Sequence, residues 1–133
     1  MVRGRVPRGG VLARRRWAAY DLSVAYDEDL AERIRELTDA ERKVTEKKMF
    51  GGLAFLVNGN MAVAASGQGG ILVRVDPEES DSLVAKTKAY PMEMRGREMR
   101  GWLRVDPEHV RTKAQLSKWV ERGVGYARSL PAK

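Results

Sequence analysis

The chain has 133 residues, enough for one domain with its own hydrophobic core. It contains no cysteine, which excludes disulfide bonds, thiolate nucleophiles and cysteine metal sites. The net charge of +7 would suit nucleic-acid binding, but residues 1–24 carry +5 of it and the other 109 residues, with 19 basic and 17 acidic side chains, carry only +2.

Residues 1–24 mix glycine, proline and arginine with little apolar periodicity, which predicts a flexible basic arm. Two alternatives stay open: translation that begins near Val24, and a functional arm that grips phosphates. The arm lacks the apolar run of a secretory signal, and no run in the sequence approaches the ~20 apolar residues of a membrane span. We therefore expect a cytoplasmic protein with no membrane association and one folded domain over residues 25–133.

A helix followed by three or four strands is predicted for the first half of the domain. Asp27 can cap the helix, and Leu30, Ile34 and Leu37 repeat at helical spacing. Asn58-Gly59 is a strong hairpin signal between two apolar runs. The predicted strands are residues 44–50, 53–57, 61–65 and 71–75.

The second half is predicted to add a helix, a hairpin and a final helix. Asp76-Pro77 has the form of a helix start, and residues 90–105 form a second hairpin that turns near Gly96. Thr112 and Gln115 make a capping box for the last helix. Its predicted apolar face is Leu116, Trp119, Val120, Gly123 and Ala127. The order α, three or four β, α, two β, α indicates a two-layer α+β sandwich, an antiparallel sheet with helices on one face.

Gly51-Gly52 raises the question of a phosphate-binding loop. Such a loop must follow a strand and open a helix, so that backbone N–H groups meet the anion. Here the pair is followed by LAFLV, another predicted strand. We therefore interpret the two glycines as a tight turn or bulge.

Residue types that carry catalysis or bind metals are sparse. His109, the only histidine, lies in a predicted turn, and the adjacent Glu108 is no sign of an orienting carboxylate. The acids of the first helix suit capping and a solvated face, and they lack the spacing of a calcium loop. We expect no catalytic residues, no metal, no cofactor and no enzymatic activity.

The second hairpin is rich in positive charge. Period-two alternation places Met99, Leu103 and Val105 on one face of its returning strand, and an Arg-Trp-Arg set on the other. If the first face is core, the second can stack a base or hold an anion. The alternative is that the arginine stems and the tryptophan cover each other, or that a helix covers them. The candidate binding surface is Arg95, Arg97, Arg100, Trp102 and Arg104.

Five methionines, Met49, Met61, Met92, Met94 and Met99, lie at predicted strand positions. They are most simply core filler, with a methionine-lined pocket as the alternative. A small-ligand pocket lined by Met49, Phe50 and Tyr90 is a further alternative, although the scatter of these residues along the chain predicts against it.

The chain resembles the TfoX/Sxy N-terminal domain family, and its short single-domain branch most. The resemblance rests on KKMFGGLAFLVNGNMAV, ILVRVDP, MRGREMRGWLRVDP and WVERGVGYARSLPAK, and runs from about Ala25 to the C-terminus. It implies a fold like that of secretion chaperones. The family is named after a regulator of natural competence, in which a second, C-terminal domain follows this one. No catalytic residues are established for the family, so the resemblance implies none here.

Together these observations favour a non-catalytic binding or regulatory module, linked to the transcriptional regulation of competence. Its partner is expected to be another protein or a second copy of the chain. The alternatives are a weak nucleic-acid-binding protein that uses the arm and the hairpin of residues 91–105, and a small-ligand-binding protein.

Overall fold

The computed structural model describes residues 26–49 and 51–133, which form a six-stranded antiparallel sheet and three α-helices. The predicted α+β class is confirmed, while the likeness to secretion chaperones stays a prediction. The predicted arm of residues 1–24 and the candidate pocket residue Phe50 lie outside the described residues. In chain order the elements are α1 (Glu28–Thr38), β1 (Val44–Met49), β2 (Gly52–Val57), β3 (Asn60–Ala65), β4 (Ile71–Arg74), α2 (Ser80–Lys86), β5 (Tyr90–Met94), β6 (Arg97–Val105) and α3 (Lys113–Ser129).

The strands lie in the order β1-β2-β3-β4-β6-β5, so β1 and β5 are the two edges of the sheet. Lys47 and Lys48 lie in β1, and Pro91, which has no backbone N–H, lies in β5. Lysine and proline on an edge discourage pairing with a further strand. Both edges are therefore protected against strand addition.

Both hairpin turns have the backbone that the sequence predicts. Asn58 and Gly59 have φ angles of 53° and 82°, and Arg95 and Gly96 have 55° and 78°. Positive φ at both central residues matches the twist of the flanking strands, and Asn-Gly is the pair that adopts it most readily.

Gly51 and Gly52 connect β1 to β2, and the prediction of a turn is confirmed. Gly51 has a φ of +76°, and a Cβ on Gly52 would lie 2.2 Å from the carbonyl oxygen of Ala65. The first glycine supplies the turn and the second allows two backbones to approach closely. The pair leads into a strand, so it has no helix N-terminus to offer an anion.

Helices α1 and α3 begin at their predicted caps, whereas α2 begins at Ser80, four residues after its predicted cap Asp76. The Asp27 carboxylate accepts hydrogen bonds from two backbone N–H groups of the first turn of α1, at 2.9 and 3.1 Å. Thr112 and Gln115 form the capping box of α3, with both hydrogen bonds at 3.0 Å. Asp76 caps a short 3-10 turn, Pro77–Glu79, which leads into α2.

All three helices pack on one face of the sheet, where their apolar side chains and those of the strands form a helix-side core. Ile34 of α1 and Leu103 of β6 are fully buried in it. Val124 of α3 is buried there as well, and Trp119, predicted to face the core, is only partly buried at its margin. The other large buried members are Phe55, Val57, Val63, Ile71, Val73, Val75, Val105, Val110 and Leu116.

Helix α3 approaches the sheet through Gly123. A Cβ at this position would lie 2.4 Å from the carbonyl oxygen of Ala62 in β3 and 3.3 Å from Cγ1 of Val73 in β4. At Gly125, two residues further along the same helix, a Cβ would meet nothing within 4 Å. The closeness of helix and sheet therefore depends on one missing side chain.

We expect Gly123→Ala to destabilise the protein and Gly125→Ala to be neutral or stabilising. Alanine in an exposed helix is favoured over glycine by roughly 1 kcal/mol, whereas overpacking at Gly123 costs about 1–3 kcal/mol. Urea unfolding of the two variants measures the difference. Equal stability of the pair would contradict the close contact between α3 and β3.

An ion pair ties α1 to the edge strand β1. Arg35 donates from Nε to Oε2 of Glu46 at 2.6 Å and from Nη2 to Oε1 at 2.9 Å, and it also pairs with Glu32 one turn earlier. The hydrogen bonds from Arg35 lower the pKa of Glu46, and those from Glu46 raise the pKa of Arg35. Because the folded state favours the ionised carboxyl, this pair adds stability only while Glu46 is charged.

We expect Glu46→Gln to lower stability at pH 7 and to lose that effect in acid. The effect should be full above pH 4.5, the ordinary pKa of the carboxyl, and should vanish as the pH falls through the lowered folded value. Urea unfolding of the wild type, Glu46→Gln and Arg35→Gln/Glu46→Gln across this range measures it. A destabilisation that persists when Glu46 is protonated would assign the effect to packing instead.

Candidate binding surface

The sheet has a second apolar cluster on the face opposite the helices, here called the open face. Its buried members are Ala54, Met61, Ala64, Leu72 and Met92. Partly buried side chains surround them, namely Met49, Leu56, Met94 and Trp102. Every one of these residues lies in a strand, and among the described residues no helix contributes to the cluster.

The methionines line two adjoining clefts of the open face. A narrow cavity of about 20 Å³ is lined by Met49, Met61 and Met92, together with the small and polar residues around Ser66. That is room for no more than one water molecule. A shallower cleft of about 120 Å³ is lined by Leu72, Met92, Met94, Met99 and Trp102. The five methionines therefore line one surface. Met61 and Met92 are buried in it, as the prediction of core filler requires, while Met94 and Met99 line the shallow cleft, the feature that corresponds to the alternative of a methionine-lined pocket.

Met99 lies on the open face, and its predicted place beside Leu103 and Val105 is wrong. The pairing of β5 with β6 jumps from Pro91 opposite Leu103 to Met92 opposite Met99. Gly101, at a φ of +87°, lies in this irregular stretch. The extra residues of β6 shift the alternation, so that Met99 and Trp102 line the same cleft while Leu103 and Val105 stay in the helix-side core.

The predicted arginine–tryptophan set does not assemble as one group. Arg100 turns toward α2, where its Nη2 donates to the carbonyl oxygen of Pro77 at 3.1 Å and lies 4.0 Å from the Asp81 carboxylate. Arg104 donates from Nη1 to Oγ of Ser66 at 2.9 Å, beside the narrow cavity. The Arg100 side chain is therefore directed away from Trp102 and Arg104, the two other members of the predicted face.

The cation that contacts Trp102 is Arg74 of β4. Its guanidinium carbon lies 4.7 Å from the centre of the Trp102 ring and 5.5 Å from that of Tyr126. The sequence contains a signal for this placement, because ILVRV alternates cleanly and puts Arg74 opposite the core side. The hairpin alone could not reveal the contact, since the partner comes from another strand.

Four cationic side chains share the open face, because residues directly opposite each other in paired strands lie on the same side of a sheet. Each is paired with a member of the open-face cluster. The pairs are Lys47 with Ala54, Arg74 with Trp102, Arg97 with Met94, and Arg104 with Leu72. Arg95 lies in the hairpin turn next to Arg97.

No carboxylate of the described strands shares that face. Glu46 is opposite Phe55 of the helix-side core, and Glu93 and Glu98 are opposite each other at positions that alternate with the methionines. The nearest acid, Asp106, follows the end of β6, and it accepts a hydrogen bond from the Tyr90 hydroxyl at 2.8 Å. That hydrogen bond raises the pKa of Tyr90. The open face is therefore apolar and one-sidedly cationic.

The other sequence-based candidates are not joined into a site. Met49 and Tyr90 lie in β1 and β5, the two opposite edges of the sheet, so they cannot line one pocket. His109 lies in the short turn Pro107–His109, partly exposed, with Nε2 3.7 Å from the Glu108 carboxylate. Within residues 26–49 and 51–133 there is no group of three or more histidine, aspartate or glutamate side chains placed to hold a metal ion.

Two wider hollows lie between α1 and residues 107–116, one beside the start of α3 and the other beside the turn before it. They measure about 320 and 390 Å³ and share Arg33 and Arg111 in their walls. The Arg33 guanidinium donates to the carbonyl oxygens of Val110 and Arg111, both at 2.9 Å, so it already serves the fold. None of the helices that the structure describes is long and apolar enough to cross a membrane.

The model of the TfoX N-terminal domain family matches residues 36–127. That segment includes all six strands, α2 and most of α3, and hence the whole open face. The chain belongs to the TfoX N-terminal domain family. A comparison with curated proteins finds none that matches the chain.

We expect the two faces of the sheet to differ in their contribution to stability. Leu103→Ala removes a fully buried side chain from the helix-side core and should cost about 2–5 kcal/mol. Met94→Ala truncates a partly buried side chain of the open face and should cost less than about 1.5 kcal/mol. Urea unfolding measures both. Equal losses would mean that the open face is part of the folding core.

Proposed function

We propose that the protein is a non-catalytic regulatory module that acts by binding another protein through the open face. The observation that carries the proposal is the methionine-lined cluster, which no described helix covers. Methionine is flexible and polarisable, and it is over-used on protein surfaces that adapt to a partner. The margin of the cluster is only partly buried and is bordered by charge, and apolar surface with a polar rim is typical of interaction sites.

The dimensions of the two clefts favour a protein over a small molecule. Clefts that enclose metabolites have volumes of roughly 300–1,000 Å³, whereas those of the open face measure about 20 and 120 Å³. The larger of them has the size to accept a single apolar side chain. One such anchor, with a flat surrounding surface, is the usual anatomy of a protein interface.

Membership of the TfoX N-terminal domain family supports a regulatory role. We propose that this role is exerted on the transcription of competence genes, through the partner and not through chemistry of the chain itself. A weak nucleic-acid-binding function is the second candidate, and the observation that favours it is the cationic stacking of Arg74 on Trp102.

Photo-crosslinking tests the proposal in the organism of origin. A benzophenone amino acid at Met94 should capture a partner protein, whereas the same group at Glu121, an exposed position of α3, should not. The chromosomal variant Met94→Asp should then lower the transcripts of DNA-uptake genes as far as a deletion does. Equal capture from both positions, or capture of nucleic acid from Met94, would contradict the proposal.

A further inference from the structure

We infer that the open face binds an acidic, apolar segment of a partner protein, a peptide that places one large apolar side chain in the methionine cleft and carboxylates on either side of it. This inference rests on the proposed function and adds the chemistry of the partner. It follows from the separation of charge between the two sides of the sheet. The strands put four cations and no carboxylate on the open face.

The cations are distributed around the cleft. Arg97 is opposite Met94 at the hairpin end, and Arg104 is opposite Leu72 on the far side of the cleft. Lys47 extends the positive charge to the opposite edge of the sheet. A segment that runs along β6 with an apolar anchor in the cleft therefore meets a positive side chain both before and after that anchor.

Arg74 is prepared for a carboxylate. Its guanidinium carbon lies 4.7 Å from the centre of the Trp102 ring and 5.5 Å from that of Tyr126 in α3, and stacking on aromatic rings restricts the plane of the group. Arginine presents two parallel N–H groups to a carboxylate, and such bidentate pairs are among the stronger polar contacts of proteins. Because the arginine is already ordered by the stacking, less conformational entropy is lost when the pair forms.

The same charge pattern disfavours the other occupants of the face. A second copy docked by a two-fold axis would oppose identical surfaces, and here it would bring four cations against four cations with no carboxylate from the described strands, since Asp106 lies just past the end of β6. Residues 1–24 carry a net charge of +5, so they too are a poor match for this face. Single-stranded nucleic acid needs aromatic stacking platforms, whereas the cleft is lined by three methionines, a leucine and one tryptophan.

A designed peptide tests the inference with the full chain. The probe is a fluorescein-labelled amphipathic peptide of about 20 residues, with leucines on one face and glutamates beside them. One control peptide has lysines in place of the glutamates, and a second has serines in place of the leucines. Fluorescence anisotropy at about 0.15 M ionic strength should detect binding of the first peptide alone.

Two neighbouring lysines provide a matched pair of protein variants. Lys47 and Lys48 are both exposed in β1, but Lys47 is opposite Ala54 of the open face and Lys48 is opposite Leu53 of the helix-side core. Lys47→Glu should weaken peptide binding by about fivefold or more, and Lys48→Glu by less than about twofold. Both variants change the net charge equally, so a difference between them reports position. Met94→Asp should abolish binding.

Several outcomes would overturn the inference. These are equal binding of the glutamate and lysine peptides, equal effects of the two lysine variants, and no binding of the glutamate peptide at all.

Binding of poly-dT or of phosphatidylserine vesicles to the open face, in competition with the peptide, would assign the face to nucleic acid or lipid. A dimer of the full chain in sedimentation velocity that Met94→Asp dissociates would assign it to a second copy. If Met94 still crosslinks a protein in cells, the proposed function stands even where the inference of an acidic segment fails. If Met94 crosslinks no protein, the proposed function and the inference are both contradicted.

Discussion

Helix α3 rests on the sheet at a point where no side chain separates the two backbones. Gly123 lies against the carbonyl group of Ala62, and this contact sets the depth at which α3 packs over β3 and β4. The remaining helices complete the same layer, so the helix-side core closes on one side of the sheet. No helix among the described residues covers the other face, where strand side chains alone bury the centre of the open-face cluster.

The two faces of the sheet differ in the types of side chain that they carry. The helix-side core holds branched and aromatic side chains that are fully buried, which is the composition of a rigid interior. The open face holds alanines beneath methionines, an arrangement in which flexible thioether chains supply their own cover. Carboxylates of the strands lie toward the helices or alternate away from the methionines, while four cations border the open face. The proposed recognition surface and the helix-side core thus lie on opposite sides of a single layer.

Local sequence signals predict the helix caps and the hairpin turn correctly, but they do not predict which residues make up the open face. Asn58-Gly59, Asp27 and the Thr112–Gln115 box each act through the nearest few residues, so sequence alone places these turns and caps. Side chains do not alternate strictly around Gly101, because β6 has a bulge there. The bulge depends on how β5 pairs with β6, so the sequence of β6 alone did not show that Met99 lies on the open face. Continuous apolar runs such as LAFLV cannot reveal that a sheet is apolar on both sides while the described helices cover only one of them.

The same limit applies to the candidate site. Trp102, Arg97 and Arg104 were found from the hairpin and do lie on the open face. Arg100 is drawn toward α2, and Lys47 and Arg74 join the face from other strands.

The two protected edges of the sheet bear on how the open face can evolve. Pro91 in β5 and the two lysines of β1 discourage strand addition at both edges, so the proposed partner would be held mainly by side chains. Such a grip has no fixed register, and methionines repack around different shapes. The proposed partner segment could then drift in sequence while it keeps its charge and bulk, so the proposed interaction would outlast any recognisable motif in the partner.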